Sequence, residues 1–142
     1  MSDASEKVYI SIVVPLYNEQ EVIPHLISEI HKALGKFRYP WELVLVDDGS
    51  TDGTHGKCLE SVAIYGEHIR VLELQKNFGQ TASMQAGIDN ARGNIIVTMD
   101  GDLQNDPLDI PRMVQRLLDE NLDLLQGWRK NRQDGLFLRK IP

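Results

Sequence analysis

The 142-residue sequence predicts an α/β domain, with a mostly parallel sheet and helices on both faces of that sheet. Short apolar runs alternate with longer amphipathic segments along the chain, which is the pattern of repeated strand–helix units. The apolar runs lack polar alternation, as strands do when both of their faces are buried. The length suits a single domain with one hydrophobic core.

Five apolar runs are expected to form the strands of this sheet. They cover residues 8–14, 43–46, 69–74, 94–99 and 122–125. Pro15 follows the first run directly. It is expected to end that strand, because proline has no N–H group to donate to a neighbouring strand.

Four helices are expected between the strands. In the first helix, apolar residues recur at helical spacing from Leu26 to Leu34, and Gly35 is expected to end it. The other three are expected at residues 52–65, 81–91 and 109–120. Pro111 is compatible with the last helix because it lies in the first turn, where a missing N–H group breaks no helical hydrogen bond.

Composition and charge exclude several classes of protein. The formal net charge of −6 argues against a general nucleic-acid-binding surface, so no nucleic-acid partner is expected. The single cysteine, Cys58, excludes an intrachain disulfide and is expected in the core or on a helix. No apolar run approaches the roughly 18 residues that span a bilayer, and residues 1–7 lack a signal-peptide core. We therefore expect a cytoplasmic protein, free or docked on the cytosolic face of a membrane.

Four conspicuous polar segments follow the first four predicted strands. They are VPLYNE (14–19), DDGSTDGT (47–54), KNFGQ (76–80) and DGDLQ (100–104). The carboxyl ends of parallel strands lie along one edge of a sheet, and open α/β sheets bind their ligands there. Polar residues that are far apart in the sequence are therefore expected to converge on one crevice.

Asp100 and Asp102 are candidate metal ligands in the last of these segments. In an extended chain, residues two apart share a face, so these carboxylates repel each other and require a cation. Hard oxygen ligands at an open site favour Mg²⁺ or Mn²⁺, with substrate phosphates completing the coordination. Gly101 leaves room for a ligand, and Gln104 can add a carbonyl oxygen or a hydrogen bond. The alternative is an Asp-rich turn before a helix, and this interpretation is favoured for Asp106 as an N-cap.

Other common motifs do not fit the sequence. An EF-hand loop counted from Asp100 or from Asp48 places Pro111 or Leu59 where a glutamate is required. There is no G-x-G-x-x-G after the first strand and no P-loop sequence, which disfavours a Rossmann dinucleotide enzyme and a P-loop NTPase. The four histidines show no ligand spacing and there is no cysteine cluster, so zinc is not expected.

The DDGSTDGT segment is expected to serve both a ligand and a helix. Asp48 is a candidate ligand-binding residue, because a carboxylate at a strand end can accept hydrogen bonds from a nucleobase or a ribose. Ser50, Thr51 and Asp52 are expected to cap the following helix.

Residues 127–142 form a basic terminal segment, with five lysine or arginine residues against one acidic residue. Arg129 and Arg132 are candidate phosphate ligands there, because the guanidinium group matches the geometry of phosphate oxygens. The alternative is a solvated loop face.

In this order and at this spacing, the segments VPLYNE, VDDGSTDGT, NFGQ and MDGDLQNDP resemble a family 2 glycosyltransferase with a GT-A fold. Within that family the chain most resembles the dolichol-phosphate mannosyltransferases and the bacterial polyprenyl-phosphate glycosyltransferases. The resemblance extends from about residue 10 to residue 140. Each motif is weak by itself, whereas four motifs at consistent spacing are a strong signal.

The resemblance implies a role for each residue that matches a family motif. The residues implied to contact the nucleoside are Pro15, Tyr17, Glu19, Val46 and Asp48. The residues implied to hold the metal and the donor diphosphate are Asp100, Gly101, Asp102 and Gln104, with Asp100 and Asp102 as the catalytic pair. The residues implied to bind phosphate are Arg129 and Arg132.

The implied activity is an inverting, Mg²⁺- or Mn²⁺-assisted transfer of a sugar from a UDP- or GDP-linked donor to a polyprenyl phosphate at a membrane surface. Relatives continue beyond the position of Pro142 with acceptor-side elements and often with transmembrane helices. Residues 1–142 are therefore expected to be a single donor-binding, amino-terminal part of a GT-A domain. The alternative is a non-catalytic module that binds nucleotide sugars or assembles with another subunit.

Overall fold

The computed structural model describes residues 7–102, 104–126 and 137–140, and within them six strands form one sheet that is covered by four helices. The strands are β1 (Ile10–Leu16), β2 (Trp41–Asp47), β3 (Ile69–Glu73), β4 (Ile95–Thr98), β5 (Leu124–Gln126) and β6 (Phe137–Lys140). The helices are α1 (Ile23–Leu34), α2 (Thr54–Tyr65), α3 (Gln80–Asn90) and α4 (Asp109–Asp119). Of the helices in these described ranges, none combines the length and the apolar character needed to cross a membrane. The predicted alternation of strands and helices is confirmed.

The strand order in the sheet is β3-β2-β1-β4-β6-β5. Strands β1 to β4 are mutually parallel, whereas β6 runs antiparallel to both β4 and β5. The sheet is thus mostly parallel, as predicted. Strand β6 was not predicted, because its four residues end in two basic side chains and form no distinct apolar run.

The winding of the sheet changes direction at β1. Strands β2 and β3 lie on one side of β1, and β4 lies on the other. At such a switch point, the loops that follow the two diverging strands separate and leave a crevice at the carboxyl edge of the sheet. The topology therefore places a ligand site at the ends of β1 and β4.

Helices cover both faces of the sheet, as predicted. On one face, side chains of α1, α2 and α4 pack against Ile10 and Ile12 of β1. On the other face, side chains of α3 pack against Val13 and Val46. Cys58 of α2 is fully buried in the first of these clusters, and burial raises the pKa of its thiol to about 12. It is a core residue, as the sequence predicted.

Pro15 does not end β1, contrary to the prediction. It lies within the strand and pairs in register with Val46 of β2. The carbonyl of Val13 accepts the N–H of Met99, so Val13 faces β4, and Pro15 faces the same way because it is two residues further along. Val13 pairs with Thr98, the last residue of β4. The pairing between β1 and β4 has therefore ended before residue 15. An N–H group at that position would have no partner on β4, so proline is tolerated there.

Two histidines form a hydrogen-bonded pair near the amino-terminal ends of β2 and β3. The Nε2 atoms of His31 and His68 lie 2.7 Å apart, beside the rings of Trp41 and Tyr65. His31 Nδ1 lies 2.8 Å from the carbonyl oxygen of Ile27, so it donates there and leaves Nε2 to accept from His68. Burial, followed by the proximity of His31, lowers the pKa of His68.

We expect the free energy of unfolding to fall as the pH drops below about 6.5, because the unfolded chain then takes up a proton that folded His68 resists. Above that pH, His68 is neutral in both the folded and the unfolded state, so it does not make the free energy of unfolding depend on pH. Urea titrations between about pH 8 and about pH 5.5 measure the slope, which should be shallower in a His68→Gln variant. Equal slopes for the two chains would contradict this expectation.

Candidate functional site

A cleft of about 340 Å³ lies at the carboxyl ends of β1, β2 and β4, beside the first turn of α3. Its walls come from four chain segments that are far apart in the sequence. The lining residues are Pro15, Leu16, Tyr17, Glu19, Asp48, Asn77, Gly79, Gln80, Ser83, Asp100, Gly101 and Asp102. The four polar segments that follow the strands thus meet at one crevice, and the switch point at β1 explains why they do.

The structure brings most of the predicted site residues to this cleft. Those that line it are Pro15, Tyr17, Glu19, Asp48, Asp100, Gly101 and Asp102. The side chain of Val46 is instead fully buried on the α3 face of the sheet. Gln104 is not among the described lining residues, and its side-chain oxygen is buried without a hydrogen-bond partner in the described part of the chain. Arg129 and Arg132 lie outside the described residues.

The loop after β1 is held in place by Asn18. Its backbone is left-handed, with φ of 49°, which asparagine tolerates better than most residues do. Its side-chain oxygen accepts the N–H of Thr51 at 2.8 Å, and the N–H of Glu19 donates to Thr54 Oγ1 at 2.8 Å. These bonds tie the loop after β1 to the loop after β2, and so they position Tyr17 and Glu19 on the cleft wall.

The predicted helix caps are partly wrong. Ser50 and Thr51 bond to Asn18 rather than to α2. The carboxylate of Asp52 does accept the N–H of the first residue of α2, at 2.9 Å. Asp106 accepts the N–H two residues further on, at 3.0 Å, and therefore caps the turn that precedes α4 rather than α4 itself.

Asp48 holds the segment that leads into α3. Its buried carboxylate accepts the N–H groups of Phe78 at 2.8 Å and Gly79 at 3.0 Å. The next residue, Gly49, has φ of +69°, and a Cβ atom there would overlap the backbone of Lys76, so this turn requires glycine. A carboxylate has about four acceptor positions, so Asp48 can hold this segment and also accept a hydrogen bond from a ligand in the cleft.

The loop after β4 presents two carboxylates to the cleft. Asp100 and Asp102 both line it, and Asp100 Oδ1 accepts a hydrogen bond from Gln80 Nε2 at 2.7 Å. A Cβ atom on Gly101 would overlap the side chain of Leu16. Glycine at this position therefore lets the loop after β4 lie directly against the end of β1.

The cleft has an excess of negative charge. Glu19, Asp48, Asp100 and Asp102 are acidic, whereas no lysine or arginine is among the lining residues in the described part of the chain. Burial raises the pKa of Glu19, and the charges of Asp102 and Asp100 add to this effect. Carboxylate oxygens in an open site suit Mg²⁺ or Mn²⁺. The donor set therefore fits the divalent cation that was expected at Asp100 and Asp102.

Glu19→Gln is expected to stabilise the metal-free chain at neutral pH, because it removes a charge that is unfavourably buried and that Asp102 and Asp100 repel. Folding raises the pKa of Glu19, so its ionisation opposes folding above about pH 4.5 and has little effect below that pH. The expected gain is less than about 1 kcal/mol, because the cleft is open to water, which screens the charges. Thermal unfolding in EDTA at about pH 7 and about pH 4 tests this, and the gain should vanish at the lower pH. A variant less stable than the parent at pH 7 would contradict it.

Five lining residues were not predicted as site residues: Asn77, Gly79, Gln80, Ser83 and Leu16. The first three belong to the KNFGQ segment, whose position after a strand was the available signal. Ser83 lies within the first turn of α3, and in sequence it is indistinguishable from an ordinary polar residue on a helix.

Comparison with known proteins gives consistent matches over nearly the whole chain. A family model described as "Glycosyl transferase family 2" matches residues 11–142. Dodecaprenyl-phosphate galacturonate synthase of Rhizobium johnstonii is 55% identical over 141 residues, which are 99% of this chain and 42% of that protein. Undecaprenyl-phosphate 4-deoxy-4-formamido-L-arabinose transferase of Salmonella choleraesuis is 40% identical over 137 residues, which are 96% of this chain and 42% of that protein. The chain thus spans less than half the length of these curated relatives.

Solved structures with a similar fold include a mannosyltransferase and a glucosyl-3-phosphoglycerate synthase. A mannosyltransferase from Pyrobaculum calidifontis, in complex with GDP-Man and Mn²⁺, matches with a TM-score of 0.78 at 20% identity, over 96% of this chain and 45% of that one. Glucosyl-3-phosphoglycerate synthase from Mycobacterium tuberculosis, in complex with Mn²⁺, UDP and glucosyl-3-phosphoglycerate, matches with a TM-score of 0.73 at 23% identity, over 94% and 57% of the two chains. At these identities the similarity establishes the fold.

Proposed function

The chain belongs to glycosyl transferase family 2, and we propose that its cleft binds a nucleoside-diphosphate sugar whose sugar is transferred to a polyprenyl phosphate. Its fold is the GT-A fold that the sequence motifs implied. Two curated relatives are named dodecaprenyl-phosphate galacturonate synthase and undecaprenyl-phosphate 4-deoxy-4-formamido-L-arabinose transferase, which supports an acceptor of this class.

The observation that carries the proposal is the acidic cleft at the switch point of the sheet. Four carboxylates line it, so these residues would repel a diphosphate unless a divalent cation lay between the carboxylates and the diphosphate. A nucleotide sugar supplies the phosphate oxygens that such a cation prefers as further ligands. The solved mannosyltransferase with GDP-Man and Mn²⁺ has the same fold, and this similarity supports the combination.

Each group of cleft residues then has a task. Asp100 and Asp102 would hold Mg²⁺ or Mn²⁺, with Gln104 proposed as a further ligand. The bound ion would supply positive charge for the nucleoside diphosphate that leaves when the glycosidic bond breaks. Tyr17 is partly exposed on the cleft wall and offers an aromatic face to the nucleobase. Asp48 would accept a hydrogen bond from the base or the ribose.

The proposed acceptor simplifies the proton chemistry. A phosphate monoester is largely ionised near neutral pH, so attack on the sugar requires no strong general base. The transfer would be inverting, with the acceptor phosphate attacking the face opposite the departing diphosphate. We assign phosphate binding to Arg129 and Arg132 on the basis of their residue type and motif. The acceptor would be met at the cytosolic face of a membrane.

Calorimetric titration of UDP-sugars and GDP-sugars, in Mn²⁺ and in EDTA, tests the donor site. We expect saturable binding of one donor class in Mn²⁺ and its loss in EDTA. Equal binding under the two conditions would contradict the proposal. A second assay supplies polyprenyl phosphate in vesicles: transfer with inversion supports the full reaction. Donor binding with neither transfer nor donor hydrolysis would instead favour the non-catalytic nucleotide-sugar-binding module.

A further inference from the structure

Asp47, His55 and Glu73 form a polar cluster outside the donor cleft. Asp47 is the last residue of β2, Glu73 is the last residue of β3, and His55 lies in the first turn of α2. One possible ligand atom from each residue lies within 4.8 Å of the other two. The lining of the donor cleft, as far as the structure describes it, includes none of the three.

Two of these residues bring negative charges together. Asp47 and Glu73 are direct partners in the parallel register of β2 and β3, so their side chains leave the same face of the sheet. The Asp47 side chain is 2% exposed, whereas that of Glu73 is 58% exposed. Like charges in adjacent cross-strand positions repel each other, and burial of one of them strengthens the repulsion. A positive charge between the two carboxylates would therefore be stabilising.

The position of His55 is compatible with an ion shared by the three residues, because its ring nitrogen lies near both carboxylates without a hydrogen bond to either. Its Nδ1 atom lies 3.6 Å from Asp47 Oδ2 and 3.4 Å from Glu73 Oε2. Both distances exceed the limit of about 3.2 Å for an N–H···O hydrogen bond. This nitrogen is buried and has no hydrogen-bond partner among the described residues. Ligands of a tetrahedral ion with bonds of about 2.0–2.1 Å lie about 3.3–3.4 Å apart, which is close to the two distances from His55 Nδ1, while the three ligand atoms all lie within 4.8 Å of one another.

We propose that Asp47, His55 and Glu73 bind a transition-metal ion, Zn²⁺ or an ion of similar ligand preference, at a second site separate from the donor cleft. An imidazole nitrogen suits Zn²⁺, whereas Mg²⁺ prefers oxygen ligands. Asp47 Oδ1 accepts the N–H of Ser50 at 3.0 Å, which orients the carboxylate so that Oδ2 is directed at His55. Three protein ligands leave a fourth position for water.

The spacing of residues in the sequence does not predict this site, because each of its ligands comes from a different strand or helix. An ion bound there ties the ends of β2 and β3 to α2. Asp47 also precedes Asp48, which lines the donor cleft and holds the segment that leads into α3. Zn²⁺ is therefore expected to raise the unfolding temperature of the chain, because it binds the folded state.

Binding of Co²⁺ tests the proposal, because its visible absorption distinguishes tetrahedral from octahedral coordination. An Asp102→Ala chain is used as the parent, so that the donor cleft contributes little. We expect one equivalent of Co²⁺ with a tetrahedral spectrum, displaced by Zn²⁺ but not by excess Mg²⁺. His55→Ala should abolish this spectrum, and Glu73→Gln should weaken Co²⁺ binding by at least about tenfold.

The controls keep the result interpretable. His25→Ala removes a histidine whose Nε2 lies 3.7 Å from the carboxylate of Glu29 on the same helix, and Co²⁺ binding should be unchanged. Glu73 is mostly exposed, so Glu73→Gln is expected to fold normally and gives a valid result even if His55→Ala does not fold. An absence of Co²⁺ binding, an octahedral spectrum, or binding that is unaffected by Glu73→Gln would each overturn the proposal.

Discussion

Asp102→Ala is expected to lower the affinity for the nucleotide sugar, measured in Mn²⁺, by about 100-fold or more, which corresponds to at least about 2.7 kcal/mol. The substitution removes one of the two carboxylates proposed to hold the cation, and the remaining cleft acids then repel the diphosphate. Asp102 is exposed and accepts a hydrogen bond from the N–H of Gln104, so little stability should be lost. Calorimetric titration in Mn²⁺ measures the affinity, and thermal unfolding checks the fold.

Asp106→Ala is the matched control for this experiment. It removes the same charge from an exposed position in the same loop, where the carboxylate caps a turn. Its donor affinity should stay within about twofold of the parent value. In EDTA, the parent and the Asp102→Ala chain should bind equally weakly. An Asp102→Ala chain that keeps its Mn²⁺-dependent affinity would exclude Asp102 as a metal ligand.

The parallel part of the fold could be predicted because β1 to β4 are distinct apolar runs with helical segments between them. Strand β6 could not be predicted, because its pattern is visible only after pairing. Leu138 is fully buried opposite Val97 of β4, while the neighbouring Arg139 is exposed. An alternation of buried and exposed side chains over two or three residues is too short to predict a strand within a basic segment. Pro15 shows the same limit, since whether a proline ends a strand depends on where the neighbouring strand ends.

The acidic residues of the cleft could be predicted because strand ends converge in any parallel sheet. The bonds that position them could not. In sequence, Asn18 is a polar residue after a strand like its neighbours, yet it ties two loops together. Asp47 and Asp48 are adjacent and identical in type. Asp48 lines the donor cleft, whereas Asp47 contributes to the cluster with His55 beside α2, because successive side chains leave opposite faces of a strand.

Glu42→Ala is expected to lower the free energy of unfolding by about 3–5 kcal/mol, the usual cost of removing one partner of a buried charged network. Glu42 is 1% exposed and accepts hydrogen bonds from Ser11 Oγ at 2.6 Å, the N–H of Arg92 at 2.7 Å and the guanidinium of Arg70 at 2.9 Å. Alanine would leave the Ser11 hydroxyl and the N–H of Arg92 without this acceptor, and it would leave the Arg70 charge without its carboxylate partner, although Arg70 Nη1 also donates to the carbonyl of Asn90 at 2.8 Å. Glu42 is the second residue of β2 and so lies near the amino-terminal end of that strand, whereas the donor cleft lies at the carboxyl ends of the strands. Donor affinity should therefore be unchanged in the folded fraction.

Urea denaturation measures the loss, and Glu60→Ala is its control. Glu60 pairs with Lys57 at 3.3 Å on the surface of α2, and its removal should cost less than about 0.5 kcal/mol. A loss below about 1 kcal/mol for Glu42→Ala would mean that water replaces the carboxylate. Arg70 is 21% exposed, so water can reach part of its side chain. If its unpaired charge nevertheless dominates the cost, Arg70→Met combined with Glu42→Ala should be more stable than Glu42→Ala. If the double variant shows no recovery, the cost lies with Ser11 and the N–H of Arg92.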